Sequence, residues 1–243
     1  MDPLAEKYYP ISPYAYGANN PLIFIDPNGM DIYRYDDKSG EFSLYKETYD
    51  SFDQVGRFKY DRKTGEYTLR TNRKGEARTR IDHVEKGILN DGINFKENNN
   101  MIAIGGEGQA SVDGVEAFAL NLSDMVGKEI GGAYFSKDGS SETTHMSIGA
   151  YKNNKFDLTQ GHGHPLWNKL YPDSKLENSL TGFFHTHPST GISVSDRTRA
   201  SEQDKRSRDA ALKVMPNMQF YILTHPVYPG GKFPYRINYT NTR

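Results

Sequence analysis

A ten-residue spelling occurs twice near the start of this chain, and it constrains the local fold more than any other feature. Tyr35-Asp36-Asp37-Lys38-Ser39-Gly40-Glu41-Phe42-Ser43-Leu44 is echoed by Tyr60-Asp61-Arg62-Lys63-Thr64-Gly65-Glu66-Tyr67-Thr68-Leu69. Each copy reads as a strand, a polar turn closed by glycine, and a second strand. Glycine supplies the left-handed backbone that such turns need. The spelling therefore predicts two β-hairpins, a small sheet over 31–82 that serves as linker or spacer. Nothing in it carries chemistry.

The chain has 243 residues, enough for one sizeable domain with an appendage or for two small ones. Thirty basic residues are balanced by 31 acidic ones, for a net charge of −1. No overall field draws the chain to nucleic acid or to an anionic membrane, so neither is expected as a partner. Cysteine is absent. That excludes disulfides, thiolate catalysis and cysteine-held zinc, and leaves His, Asp and Glu as metal ligands. The N-terminus has no signal-peptide pattern and no run is apolar enough to span a bilayer. The expected route out of a cell is a specialised machine or a larger parent chain.

Beyond residue 83 the pattern changes. Val115, Phe118, Ala119, Leu122 and Met125 recur at helical spacing and predict a helix over 111–125. Asp113 and Glu116 have capping-box spacing, and Gly127 is a stop signal. Strands are predicted over 130–135, 145–150, 180–187 and 220–224. A helix is predicted over 197–214, a polar run rich in helix formers. Residues 85–89 and 92–95 read as short helix or turn elements. The expected class is α/β (α+β): an α-β-α sandwich with a mixed sheet over 83–243, preceded by the hairpin region.

The chemistry concentrates in Phe183-Phe184-His185-Thr186-His187-Pro188-Ser189-Thr190-Gly191-Ile192-Ser193-Val194-Ser195-Asp196. Residues two apart on a strand share a face, so His185 and His187 can address one ion. Pro188 ends the strand, and a helix entered near Asp196 can return a carboxylate to the same point. Two imidazoles and one carboxylate leave a tetrahedral position open, which is the arrangement of a catalytic zinc and lowers the pKa of water there to about 7. Glu129, just after the first helix, is the expected general acid/base. Ser193 is placed to stabilise an oxyanion, and with Asp196 it also spells a helix capping box. Glu142 is a rival base. His162 and His164 repeat the H-x-H-P letters among glycines and read as a loop near the groove. His145 reads either as a strand-face histidine near the site or as simply exposed, and His225, before Pro226, reads as structural.

A glutamate at a strand start, then H-x-H-P, then S-x-x-D, resembles the JAMM (JAB, MPN-plus) zinc metallopeptidase family. The resemblance covers about 83–243 and extends to the JAB-like toxin branch. It implies a JAMM/cytidine-deaminase-like sandwich, with His185, His187 and Asp196 on zinc, Glu129 as acid/base and Ser193 at the oxyanion. The family's loop between the second histidine and the serine is longer than the five residues found here. A longer count lands on Ser195, but Thr198 then stands where the aspartate belongs.

Residues 1–30 resemble the end of the RHS-repeat-associated core of polymorphic toxins, on Ser12-Pro13-Tyr14-Ala15-Tyr16-Gly17-Ala18-Asn19-Asn20-Pro21 and on Pro21 to Gly29, which spells P-x-x-x-x-D-P-x-G. That resemblance implies a toxin tip behind a shell, a cleavage site involving Asp26 with a cut near Met30, and a cognate immunity protein. Together the two resemblances imply a peptidase or isopeptidase carried by a secreted RHS effector into a target cell, acting on a protein or peptide. The alternatives are a metal-dependent nuclease toxin and a JAMM-like binding module without catalysis.

Overall fold

The computed structural model describes residues 31–47, 51–97, 100–137, 140, 142–149, 151, 164–173, 179–189 and 193–242. The RHS-like segment 1–30, with Asp26 and Met30, lies outside the described residues, as does His162.

Both predicted hairpins form. Strands β1 (Asp31–Tyr35) and β2 (Glu41–Lys46) pair antiparallel, and so do β4 (Phe58–Tyr60) and β5 (Tyr67–Leu69). The two turns are built alike. Gly40 N donates to Asp36 O and Gly65 N to Asp61 O, each at 2.8 Å. The aspartate side chain accepts from the backbone two residues on, at Lys38 and Lys63. Gly40 and Gly65 have φ of 82° and 74°, the conformation that requires glycine.

The first hairpin belongs to a five-stranded sheet of order β6-β3-β1-β2-β7, with β3 (Phe52–Gly56), β6 (Thr79–Glu85) and β7 (Ile93–Asn94). β3 lies parallel to β1. The second hairpin forms a separate two-stranded ribbon. β6 runs across residue 82, so this sheet continues past the end expected for a spacer.

The second sheet has six strands in the order β13-β12-β11-β9-β10-β8. They are β8 (Ile102–Ala103), β9 (Gly131–Phe135), β10 (His145–Ile148), β11 (Leu180–Thr186), β12 (Gln219–Thr224) and β13 (Tyr235–Asn238). β11 and β12 are parallel and the other pairings antiparallel, which makes the sheet mixed.

Helix α1 (Val112–Val126) joins the two sheets. One apolar cluster holds Phe42 and Val55 of the first sheet, Phe118 and Leu122 of α1, and Tyr134 and Phe184 of the second. The opposite face of the second sheet buries Phe135, Phe183 and Phe220 with Trp167 of α2 (His164–Leu170), and Ala211 and Leu212 of α4 (Glu202–Val214) pack on it. The class is therefore mixed α/β, with strands predominating. Among the described residues, no helix is long and apolar enough to cross a membrane.

Two local expectations are corrected. The cap of α1 is Ser111, whose hydroxyl accepts from Gly114 N, rather than an Asp113–Glu116 box. Glu116 is instead drawn into the interior, where Tyr134 Oη donates to it at 2.5 Å and Arg236 Nη2 at 2.7 Å. The helix expected over 197–214 is two helices, α3 (Val194–Arg197) and α4, because Ser201 caps a fresh start. Residues 92–95, read as helix or turn, contribute β7.

Candidate metal centre

β11 is the strand that the H-x-H spelling anticipated. His185 lies on it, His187 follows its last residue, and both are almost fully buried. Their Nε2 atoms converge to 3.1 Å. Two nitrogens at about 2.05 Å from one tetrahedral zinc lie about 3.3 Å apart, so the observed spacing suits a shared ion. His187 Nδ1 lies 3.0 Å from the carbonyl oxygen of Arg197 on α3. Donation to that carbonyl keeps the proton on Nδ1 and leaves the Nε2 lone pair facing the site. Burial holds the pKa of His185 well below its ordinary value, with Asp204 opposing that shift and His187 adding to it. A neutral imidazole is the form that binds metal.

The residue that completes the group is Asp204, which the sequence reading did not consider. Its Oδ2 is 3.7 Å from His185 Nε2. His185, His187 and Asp204 offer ligand atoms within 4.8 Å of one another, a set that could hold a metal ion. Asp204 is held by a reciprocal capping box at the start of α4. Ser201 N donates to Asp204 Oδ2 at 2.7 Å, and Asp204 N donates to Ser201 Oγ at 3.2 Å. Helix α4 is itself tied down by the buried Arg208, whose Nη1 donates to the carbonyls of Tyr239 and Thr242.

Asp196 is placed differently from the expectation. Its carboxylate accepts from Ser193 Oγ at 2.6 Å, and its backbone N–H donates back to the same hydroxyl. Both residues are exposed at the start of α3 and act as its cap. The structure does not bring the Asp196 carboxylate into the group at the histidines. One sequence signal could have found Asp204. The S-x-x-D spelling occurs twice, as Ser193 to Asp196 and as Ser201 to Asp204, and the second opens the longer helix.

Glu129 does reach the site. Its Oε1 is 3.9 Å from His187 Nε2, and its side chain is partly exposed. Burial raises its pKa from the ordinary value; His187 opposes the shift and Asp204 reinforces it. The backbone around it is pinned through Thr186, whose side chain points to the other face of β11. Thr186 Oγ1 accepts from Ile130 N at 2.9 Å and donates to Ser123 Oγ at 2.7 Å, while Ser123 Oγ donates to Lys128 O. The residue between the two histidines thus fixes the segment that carries Glu129.

Other candidates stand elsewhere. His145 pairs with Phe135 at the far end of β9 from Glu129, with Tyr171 Oη 3.3 Å from its Nε2. Glu142 is exposed beyond that same end. His225 Nε2 contacts Asp124 Oδ2 at 2.5 Å, and Asp124 Oδ1 accepts from Ser189 N at 2.8 Å. That pair anchors the loop after His187, a structural role. His164 begins α2.

No family model, curated protein or solved structure matches this chain.

Proposed function

We propose that the chain is a zinc-dependent peptidase or isopeptidase of JAMM type, and the toxic tip of a secreted RHS effector. One observation carries the reading: two buried imidazoles meet at 3.1 Å, with Asp204 beside one and Glu129 beside the other. In this reading His185, His187 and Asp204 would hold the zinc, which when bound would supply an acidified water and a polarising charge. Asp204 takes the place first given to Asp196, and α3 contributes its Arg197 carbonyl as the partner of His187. The mixed sheet, with α1 on one face and α2 and α4 on the other, is compatible with the sandwich implied by the resemblance.

Glu129 is the proton carrier. Burial raises its pKa, which makes it a stronger proton acceptor than a free carboxylate, and the proton taken up on Oε1 can be returned to a leaving amine. Its partial exposure leaves it accessible to substrate from the solvent side. No serine is assigned to the oxyanion, since Ser193 and Ser201 are both engaged as helix caps.

The test is elemental analysis of purified protein, followed by incubation with peptide and isopeptide-linked substrates. About one zinc per chain is expected, and Glu129→Gln should keep the metal while abolishing cleavage. Metal-free wild-type protein, or a Glu129→Gln variant with full activity, sinks the reading.

A further inference from the structure

The overall charge balance conceals a strongly basic ribbon. Residues 57–80 carry nine Lys and Arg against three Asp and Glu. Eight of the nine cations are exposed, Arg80 being half-buried. Three of them are held together by the main chain. Arg57 N donates to Arg78 O at 2.7 Å, Arg78 N donates to Arg70 O at 2.8 Å, and Arg70 N donates to Arg57 O at 2.8 Å. This closed three-way junction makes three arginine side chains emerge from one small patch of backbone. Like charges brought this close repel one another and weaken the fold unless a counter-charge serves them. Among the described residues, neither Arg70 nor Arg78 has an ion pair.

The ribbon is firmly seated. Cross-strand partners Phe58 and Leu69 lie against Gly56, where an added Cβ would meet Leu69 Cδ1 at 2.7 Å and Phe58 Cε2 at 3.0 Å. Tyr45 stacks edge-on against Phe58, with ring centroids 4.8 Å apart. Toward the tip, Tyr60 and Tyr67 form a second ring pair at 4.9 Å, and both are exposed. The Arg34 guanidinium sits 4.4 Å above the Tyr67 ring. Arg34, Arg57, Arg70, Arg80, Phe58 and Tyr67 line a cavity of about 630 Å³. Of its acidic lining residues, Asp37 is already paired with Arg80 and Asp124 with His225.

We propose that this ribbon binds single-stranded nucleic acid. Phosphates lie over the Arg57–Arg70–Arg78 junction, and bases stack on the exposed tyrosines. Guanidinium groups beside exposed aromatic rings suit a strand with alternating phosphates and flat bases. An acidic peptide would use the cations and leave the ring pair without a partner. The cavity has room for one nucleotide. The site is separate from the metal centre, so the two readings stand or fall independently.

The test is fluorescence anisotropy of labelled oligothymidylate and oligouridylate with the full chain, titrated between about 50 and 200 mM salt. Binding that weakens steeply with salt is expected. The triple variant Arg57→Gln/Arg70→Gln/Arg78→Gln should lose about tenfold or more in affinity, and its salt slope should fall by about 2, near 0.7 per phosphate contact released. Tyr60→Ala/Tyr67→Ala should weaken binding with the salt slope unchanged. Thermal melts and zinc content matching wild type show that the variants are folded. Absence of binding at low salt overturns the proposal. So does an unaltered triple variant, or a labelled polyglutamate peptide that binds as tightly as the oligonucleotides.

Discussion

Asp204 Oδ2 stands 3.7 Å from His185 Nε2, while the nearer aspartate in sequence, Asp196, spends its carboxylate on Ser193. Each aspartate stands in a helix cap three residues after a serine, Asp196 accepting from the Ser193 hydroxyl and Asp204 from the Ser201 backbone N–H. What separates them is where their helices dock. This gives a sharp discrimination. Asp204→Ala should lower zinc affinity by more than the ~10–100-fold typical of losing an outer partner. Asp196→Ala should leave zinc affinity within a few-fold of wild type. Competition titration with a chromophoric chelator measures both, and the reverse order would return the ligand role to Asp196.

Thr186 sits between the two histidines and is fully buried. Thr186→Val keeps its shape and removes the hydroxyl that accepts from Ile130 N and donates to Ser123. A buried donor then loses its acceptor, at a cost of about 1–3 kcal/mol. Urea denaturation should show the loss, with a smaller accompanying fall in turnover as the Glu129 segment loosens. Unchanged stability would mean that water or a shifted neighbour replaces the hydroxyl.

Gly132 allows β9 to pass Phe184 closely. A Cβ there would run into the Phe184 ring and meet the carbonyl of Ser147 at 2.5 Å. Gly132→Ala should therefore destabilise by about 3 kcal/mol or more, at the top of the range for overpacking, because one clash is with backbone. Gly127→Ala tests a different cause. An added Cβ meets nothing there, but φ is 66°, so a smaller loss of about 1 kcal/mol is expected. Thermal melts rank the two, and equal losses would refute the steric account.

Asp53 supplies a pH dependence outside the candidate metal site. Burial pushes its carboxyl from the usual 3.8 to about 6, despite the Lys86 ammonium 2.6 Å away. A raised carboxyl pKa means that the folded state holds the proton more tightly than the unfolded state. Its favourable contribution is complete below about pH 3.8 and is lost as pH rises through 6. Asp53→Asn should remove that loss, raising stability relative to wild type by roughly 1–2 kcal/mol at pH 7 and flattening the profile between pH 4 and 6. Urea midpoints measured across that range check it. A variant less stable than wild type at neutral pH would show that the Lys86 ion pair outweighs burial.

The hairpins and the histidine pair were legible because their signals are local. An aspartate accepting from backbone two residues on, with glycine closing the turn, needs no tertiary context, so Gly40 and Gly65 could be placed from spelling alone. The period-two face of a strand placed His185 and His187 together for the same reason. The third member of the group, Asp204, was not legible. Both S-x-x-D pairs cap helices, and it is the tertiary placement of α4, held in part by Arg208, that sets Asp204 beside His185. Net charge is uninformative in another way. A total averages over position, so a balance of −1 gave no sign of the nine cations gathered in 57–80.

The three-way junction at Arg57, Arg70 and Arg78 has a consequence for engineering. Its geometry is made by backbone amides and carbonyls, which survive any exchange of non-proline side chains. The junction is thus a ready-made mount whose occupants can be chosen freely. Residues facing one another across a ladder lie about 4.5–5.5 Å apart at Cα. Three histidines installed there would start close enough to be shaped into a second metal site, built on a face far simpler to redesign than a buried core.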